Sequence, residues 1–190
     1  MSCAPFSRSI PSERFYVADL DAIQLNGENV RTLRGIREEF PALQMWIDNG
    51  ADSDSIEALV GAHLGTPLIG SESQRDSKLI AYHQGSWGIV LSLDFRGDDF
   101  QGPHGVLAEP ALWPQQVIVM TLARVGSGAG PDLVRLASIQ SIAGDREIYA
   151  AGGVRNADDL RALKDAAVSG ALIATALHEG RIGAVDLQMV

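Results

Sequence analysis

The chain has 190 residues, enough for one domain with a substantial core, and 46% of them are apolar. Fifteen Lys and Arg against 24 Asp and Glu leave a formal charge of −9, a field that repels polyanions and argues against nucleic acid or an anionic membrane surface as partner. The single cysteine, Cys3, excludes an internal disulfide, and no run approaches the roughly 18 apolar residues of a membrane helix, so a cytoplasmic protein is expected.

Residues 1–14 show no clear period and read as an irregular lead. From Phe15 short apolar runs alternate with helical patterns. The first strand is expected over 15–21. A helix over 27–40 places Val30, Leu33, Ile36 and Phe40 at helical spacing, and Pro41 stops it. A strand over 43–48 runs into Asn49-Gly50. A helix over 53–64 carries Ile56, Leu59, Val60 and His63 on one face, and a strand over 67–70 follows. The next strand spans 88–94, and the Gly- and Pro-rich stretch 98–114 is irregular. A strand over 117–121 leads into Gly126-Ser127-Gly128-Ala129-Gly130, which has neither the dinucleotide glycine spacing nor a Walker lysine and reads as a mobile rim loop. A helix over 132–142, a strand over 147–151, a helix over 156–167 capped by Asn156, and a strand over 171–174 complete the pattern. Most strands are unbroken apolar runs, the mark of parallel strands buried on both faces.

The two halves repeat. Residues 15–71 and 117–176 share one plan of strand, loop, helix and strand, and Leu33, Ile36 and Gly50 recur as Leu136, Ile139 and Gly153, each 103 positions on. Repeated βα units of this size predict a half-barrel duplicated within one domain. The expected fold is therefore α/β, a (β/α)8 TIM-type barrel of duplicated half-barrels that lacks strand one and shows seven recognisable strands. One domain is expected over 1–190, with a first half at 15–87 and a second at 88–190. Strand 88–94 has no counterpart 103 positions earlier, because that position precedes Met1. Either the chain starts inside a longer barrel, or it is a seven-stranded form whose exposed edges a homo-oligomer would cover.

Barrels carry their chemistry at the C-terminal ends of the strands. Gly152 and Gly153, followed by the strand that ends at Thr175, fit the phosphate site often built after the last two strands. The alternative is a tight strand-to-helix turn. In the first half Asn49 and Gly50, with Gly70 and Ser71, form a second candidate, which Asp48 would oppose unless it points away. Asp94 ends an apolar strand, where a carboxyl serves general acid–base chemistry or else caps a helix or pairs with Arg96. Asp19 and Thr121 hold matching strand ends, as catalytic groups or as rim hydrogen-bonding groups. His63, His83, His104 and His178 lack partners at ligand spacing, so neither metal nor cofactor is expected. Trp46, Trp87 and Trp113 are read as packing residues.

Tyr16-Val17-Ala18-Asp19-Leu20-Asp21-Ala22, Leu91-Ser92-Leu93-Asp94-Phe95-Arg96-Gly97, Gly130-Pro131-Asp132, Ala151-Gly152-Gly153-Val154 and Ala176-Leu177-His178-Glu179-Gly180-Arg181-Ile182 resemble the histidine-biosynthesis barrels, on the side of the phosphoribosylformimino-AICAR ribotide isomerases. The resemblance implies a substrate with a phosphate at each half and an Amadori rearrangement of an aminoaldose to an aminoketose. Two aspartates do the work there, at the ends of strands one and five. Asp94 matches the strand-five acid, which opens the ribose ring. Gly152, Gly153 and Thr175 match one phosphate site; Asn49, Gly50, Gly70 and Ser71 match the other. The strand-one aspartate has no counterpart, the strand-six loop around Val125 lacks the family's acids, and Asp48-Asn49-Gly50 stands where the family has three glycines. The expected function is an isomerase-like barrel that binds a phosphorylated sugar or aminosugar, in an Amadori step or a related step of cofactor biosynthesis. The alternative is a non-catalytic phosphate-ligand binding or assembly subunit.

Overall fold

The computed structural model describes residues 14–188; Cys3 and most of the expected lead lie outside them. The elements run β1 (Arg14–Ala18), α1 (Leu20–Ile23), α2 (Val30–Glu39), β2 (Gln44–Asp48), α3 (Ser53–Gly61), β3 (Thr66–Gly70), α4 (Lys78–Tyr82), β4 (Val90–Arg96), β5 (Asp99–Gln101), α5 (His104–Ala108), β6 (Gln116–Thr121), α6 (Leu133–Ala143), β7 (Glu147–Ala151), α7 (Ala157–Asp165), β8 (Gly170–Leu172), α8 (Thr175–His178) and α9 (Ala184–Gln188). Among the described residues no helix is long and apolar enough to cross a membrane.

Seven strands pair in parallel in the order β1-β2-β3-β4-β6-β7-β8, and the sheet curls into a nearly closed TIM-type barrel. Strands β1 and β8 are its two edges and show no pairing with each other among the described residues. All seven predicted strands are present. The first is shorter than expected, because Asp19 caps α1 and takes Asp21 into the helix. Helix α2 ends at Glu39, two residues before Pro41.

Alternation along each strand sorts side chains into two cores. Leu91, Leu93 and Phe95 of β4 face the helices, with Trp113, Val117, Val119, Ile139 and Leu160. Val90 faces the barrel interior, with Trp46, Leu68, Ile118 and Tyr149. β4 is apolar throughout its helix-facing phase, whereas its lumen phase turns polar after Val90, at Ser92 and Asp94. Trp46 and Trp113 are packing residues as expected, whereas Trp87 is 61% exposed.

The interior is plugged at the N-terminal end of the strands. Trp46 and Tyr149 meet edge to face at 4.9 Å, and the Arg14 guanidinium lies 5.4 Å from each ring. Arg14 Nη1 donates to the Tyr149 hydroxyl at 2.9 Å, which donates to Glu147 Oε2 at 2.7 Å. The opposite, C-terminal rim carries the loops that follow the strands. Three loops there are shaped by caps, with Asp52, Asp132 and Asn156 accepting the first free N–H groups of α3, α6 and α7.

Candidate active site

Asp94 shares the phase of Val90 and therefore turns into the lumen near the rim. Strand β5, in a region expected to be irregular, explains how it is held. β4 pairs β6 on one side as far as Phe95, but pairs β3 on the other only as far as Ser92. The returning β5 pairs with the overhang, placing Gln101 opposite Asp94 and above the end of β3. Ser92 Oγ donates to Asp94 Oδ1 at 2.6 Å, the Glu72 N–H donates to Oδ2 at 3.2 Å, and the Asp94 N–H donates to Ser71 Oγ at 2.9 Å. Ser71 Oγ also lies 2.7 Å from the Gln101 carbonyl oxygen and 3.2 Å from Asp94 Oδ2. One hydroxyl proton serves only one of those acceptors, so a proton on Asp94 would complete the set. Asp94 is 5% exposed. Burial is the main reason its pKa is pushed up to about 6; the Ser92 and Glu72 N–H bonds oppose that rise and the Glu72 charge adds to it. Arg96 is exposed and makes no pair with Asp94 among the described residues.

A second carboxyl enters the same lumen. Asp48 shares the phase of Trp46, and the Tyr16 hydroxyl donates to its Oδ2 at 3.1 Å, while the Gly50 N–H donates to its Oδ1 at 3.2 Å. Asp48 therefore points inward. Burial raises its pKa, and burial together with Asp48 raises that of the Tyr16 phenol. The sequence reading missed Tyr16, Ser92 and Glu72. The signal was the period of two that puts Ser92 with Asp94 and Asp48 with Trp46.

The Gly152–Gly153 bend stands on the same rim as Asp94, since all seven strands of the barrel run one way. Both glycines have positive φ, +100° and +87°. A Cβ on Gly152 would lie 2.6 Å from the Thr121 carbonyl oxygen, and one on Gly153 would lie 2.1 Å from that of Gly130. The bend is therefore glycine-rich first because the β6–α6 loop packs on it. That loop was expected to be mobile, yet it is tied to itself. Arg124 Nη1 donates to the Gly130 carbonyl at 3.0 Å, and Ser127 Oγ donates to the Arg124 carbonyl at 2.9 Å. Among the described residues, the N–H groups of Gly153, Thr175 and Ala176 meet no acceptor. Arg155, two residues beyond the bend, is bound to Asp159 through Nε at 2.8 Å and Nη2 at 2.7 Å.

The first-half candidates are differently placed. The Gly50 N–H is given to Asp48, and the Ser71 hydroxyl is engaged by Asp94 and Gln101. Gly70 lies where a Cβ would be 3.5 Å from Asp94 Oδ2. The Asn49 Oδ1 is buried without a hydrogen-bond partner. Thr121 is buried at the end of β6, and its hydroxyl makes no hydrogen bond among the described residues.

Asp19 is a loop anchor. Its carboxylate accepts from the Asn29 side chain at 2.7 Å, the Asn29 N–H at 2.8 Å and the Ala22 N–H at 3.3 Å. Burial opposes its charge, but these bonds together hold its pKa below the usual range. Asp19→Ala should cost about 2 kcal/mol at neutral pH by the loss of a cap and a buried acceptor. Because the folded pKa is depressed, the contribution is present above the ordinary value of 3.8 and fades as pH falls through the lower folded value. Denaturant melts at pH 7 and pH 3 check both statements; equal stability of the two proteins at pH 7 would refute them.

The profile of the histidine biosynthesis protein family matches residues 7–183. The chain belongs to this family. Similar relatives include three proteins named 1-(5-phosphoribosyl)-5-((5-phosphoribosylamino)methylideneamino) imidazole-4-carboxamide isomerase. That of Xanthomonas oryzae is 29% identical, over 88% of this chain and 77% of the relative. That of Myxococcus xanthus is 28% identical, over 90% and 77%. That of Syntrophomonas wolfei is 30% identical, also over 90% and 77%. The segment matched by the histidine biosynthesis family contains β1 to α8, and with them Asp48, Asp94, Gly153 and Thr175.

Proposed function

We propose that this chain is an isomerase that converts a phosphorylated aminoaldose to the aminoketose. The observation that carries the reading is the Asp94 carboxyl, buried at the C-terminal rim with a pKa pushed up to about 6, held by the Ser92 hydroxyl and the Glu72 N–H and with Ser71 Oγ beside it. A carboxyl so poised holds a proton for transfer near neutral pH. The phosphate is held by the unoccupied N–H groups of Gly153, Thr175 and Ala176.

Protonated Asp94 gives its proton to the ring oxygen as the C1–O bond breaks and the amine lone pair forms the protonated imine. The Asp48 carboxylate, facing the same lumen, takes the proton from C2, leaving the enaminol. It returns that proton to C1, and the C2 hydroxyl gives its proton to Asp94 as the ketone forms. Both carboxyls end as they began. Asp19 takes no part, because its oxygens are held by its own loop.

Incubation with an N-aryl 5-phosphoribosylamine, followed by 13C NMR, tests the reading. The expected result is a new ketone carbon and loss of the C1 aminal signal. Binding with no conversion would transfer the chain to the class of non-catalytic phosphate-ligand binders.

A further inference from the structure

We propose that the ligand of this barrel carries a single phosphate, and that Asp48 is the residue that excludes a second. The inference rests on the reading that the second-half rim holds a phosphate, and it departs from the two-phosphate ligand that the family resemblance implies.

The two halves correspond position by position. Gly153 stands 103 residues after Gly50, and Ala151 stands 103 after Asp48. β7 pairs Ala151 with Leu172 of β8, and β2 pairs Asp48 with Leu68 of β3. By that register Thr175 and Ala176 occupy the places of Ser71 and Glu72. In the second half the N–H groups of Gly153, Thr175 and Ala176 have no acceptor among the described residues. In the first half two of the three corresponding N–H groups, those of Gly50 and Glu72, are consumed by the protein's own acids, and only that of Ser71 meets no acceptor among the described residues. The Gly50 N–H goes to Asp48 Oδ1 at 3.2 Å, the Glu72 N–H goes to Asp94 Oδ2 at 3.2 Å, and the Ser71 hydroxyl lies between Asp94 and the Gln101 carbonyl. Where the second half puts the methyl of Ala151 into the lumen, the first half puts a carboxylate, fixed by Tyr16 at 3.1 Å.

A phosphate placed there would meet Asp48, Asp94 and the exposed Glu72, with two of the three amides that could hold it already engaged. At a separation of roughly 5 Å and an effective dielectric near 20, one such like-charge contact weakens binding by roughly 250-fold. A hydroxyl or amine of the ligand meets no such repulsion, because carboxylate oxygens accept hydrogen bonds from either. The first-half rim is thus suited to the unphosphorylated end of a sugar, and the second-half rim to its phosphate.

Calorimetric titration with ribose, ribose 5-phosphate and ribulose 1,5-bisphosphate tests this. Wild type should bind ribose 5-phosphate at least tenfold more tightly than the bisphosphate, and ribose more weakly than either. Asp48→Asn, isosteric and able to keep the Tyr16 bond, should narrow the gap between the two phosphates by tenfold or more. Glu72→Gln, at an exposed side chain, should narrow it in the same direction by a smaller factor and serves if the first variant fails to fold. A bisphosphate that binds wild type as tightly as the monophosphate, or a gap unchanged in the variants, overturns the proposal alone. Ribose 5-phosphate binding no better than ribose overturns the phosphate reading on which it rests.

Discussion

Asp94→Asn should lower turnover of the aminoaldose by 10²- to 10⁴-fold while making the protein more stable at pH 8, an unusual pairing that follows from one carboxyl. The loss of activity is that of a proton donor whose replacement has no acidic proton to give to the ring oxygen. The gain in stability comes from burial. Folding lifts the pKa of Asp94 from 3.8 to about 6, so the folded protein binds this proton more tightly than the unfolded chain. Its stability must then fall as pH rises from about 4 to about 6, and the penalty is complete above that window. Two pKa units correspond to about 3 kcal/mol, an upper bound for what a neutral isostere regains. The amide can donate to Ser92 Oγ and accept from the Glu72 N–H, so the site need not be left unsatisfied. Melts of both proteins from pH 4 to pH 8 should diverge with rising pH and converge at the acidic end. In wild type, kcat/KM should fall as pH rises above about 6, as the acid loses its proton. A variant that is less stable at pH 8, or one that retains activity, would refute the assignment.

The parallel strands were legible because a barrel strand is buried on both faces, and unbroken apolar runs such as Val117-Ile118-Val119 announce that without reference to partners. Strand β5 was not, since Asp99-Phe100-Gln101 is short and mostly polar and exists only because β4 overhangs β3. The end of β1 was misplaced for a local reason. Asp19 looks like a strand end, but its side chain reaches the Ala22 N–H and starts a helix there. Trp87 sits between Gly85 and Gly88 in a turn, and nothing in its neighbours' periodicity distinguished an exposed ring from a buried one.

The candidate site was legible in part. Asp94 could be named from its place after an apolar run, and its orientation follows from counting by two. Its environment could not, because Ser71 and Glu72 reach it from the turn after β3 and Gln101 lies opposite it on β5, up to 23 positions away. The Tyr16–Asp48 pair joins residues 32 apart on neighbouring strands, and only the β1–β2 register brings them together. That register turned a residue expected to matter only if it pointed the wrong way into the group that separates the two halves.

Gly153→Ala should destabilise the protein by about 3 kcal/mol or more, which for a chain of this size lowers the melting temperature by roughly 6–12 °C. Two costs combine. At φ +87° an L side chain is strained by about 1–2 kcal/mol. The added methyl would also lie 2.1 Å from the Gly130 carbonyl oxygen and 3.2 Å from Pro131 N, backbone atoms that cannot rotate away as a side chain would. The loop bearing them is itself pinned by Arg124, which donates to the Gly130 carbonyl at 3.0 Å and the Pro131 carbonyl at 3.5 Å, so relief requires moving the whole rim segment. Gly128→Ala is the control: φ is +67°, but no atom lies within 4 Å of the added carbon, so only the strain remains. The expected order is wild type, then Gly128→Ala, then Gly153→Ala, with the larger gap at the second step. Only the last should also lose affinity for ribose 5-phosphate, because displacing the bend moves the Gly153 N–H from the rim it shares with Thr175. If the two alanine variants melt together, the contact between the β6–α6 loop and the glycine bend does not hold the rim in place, and the phosphate site must be sought elsewhere on the barrel.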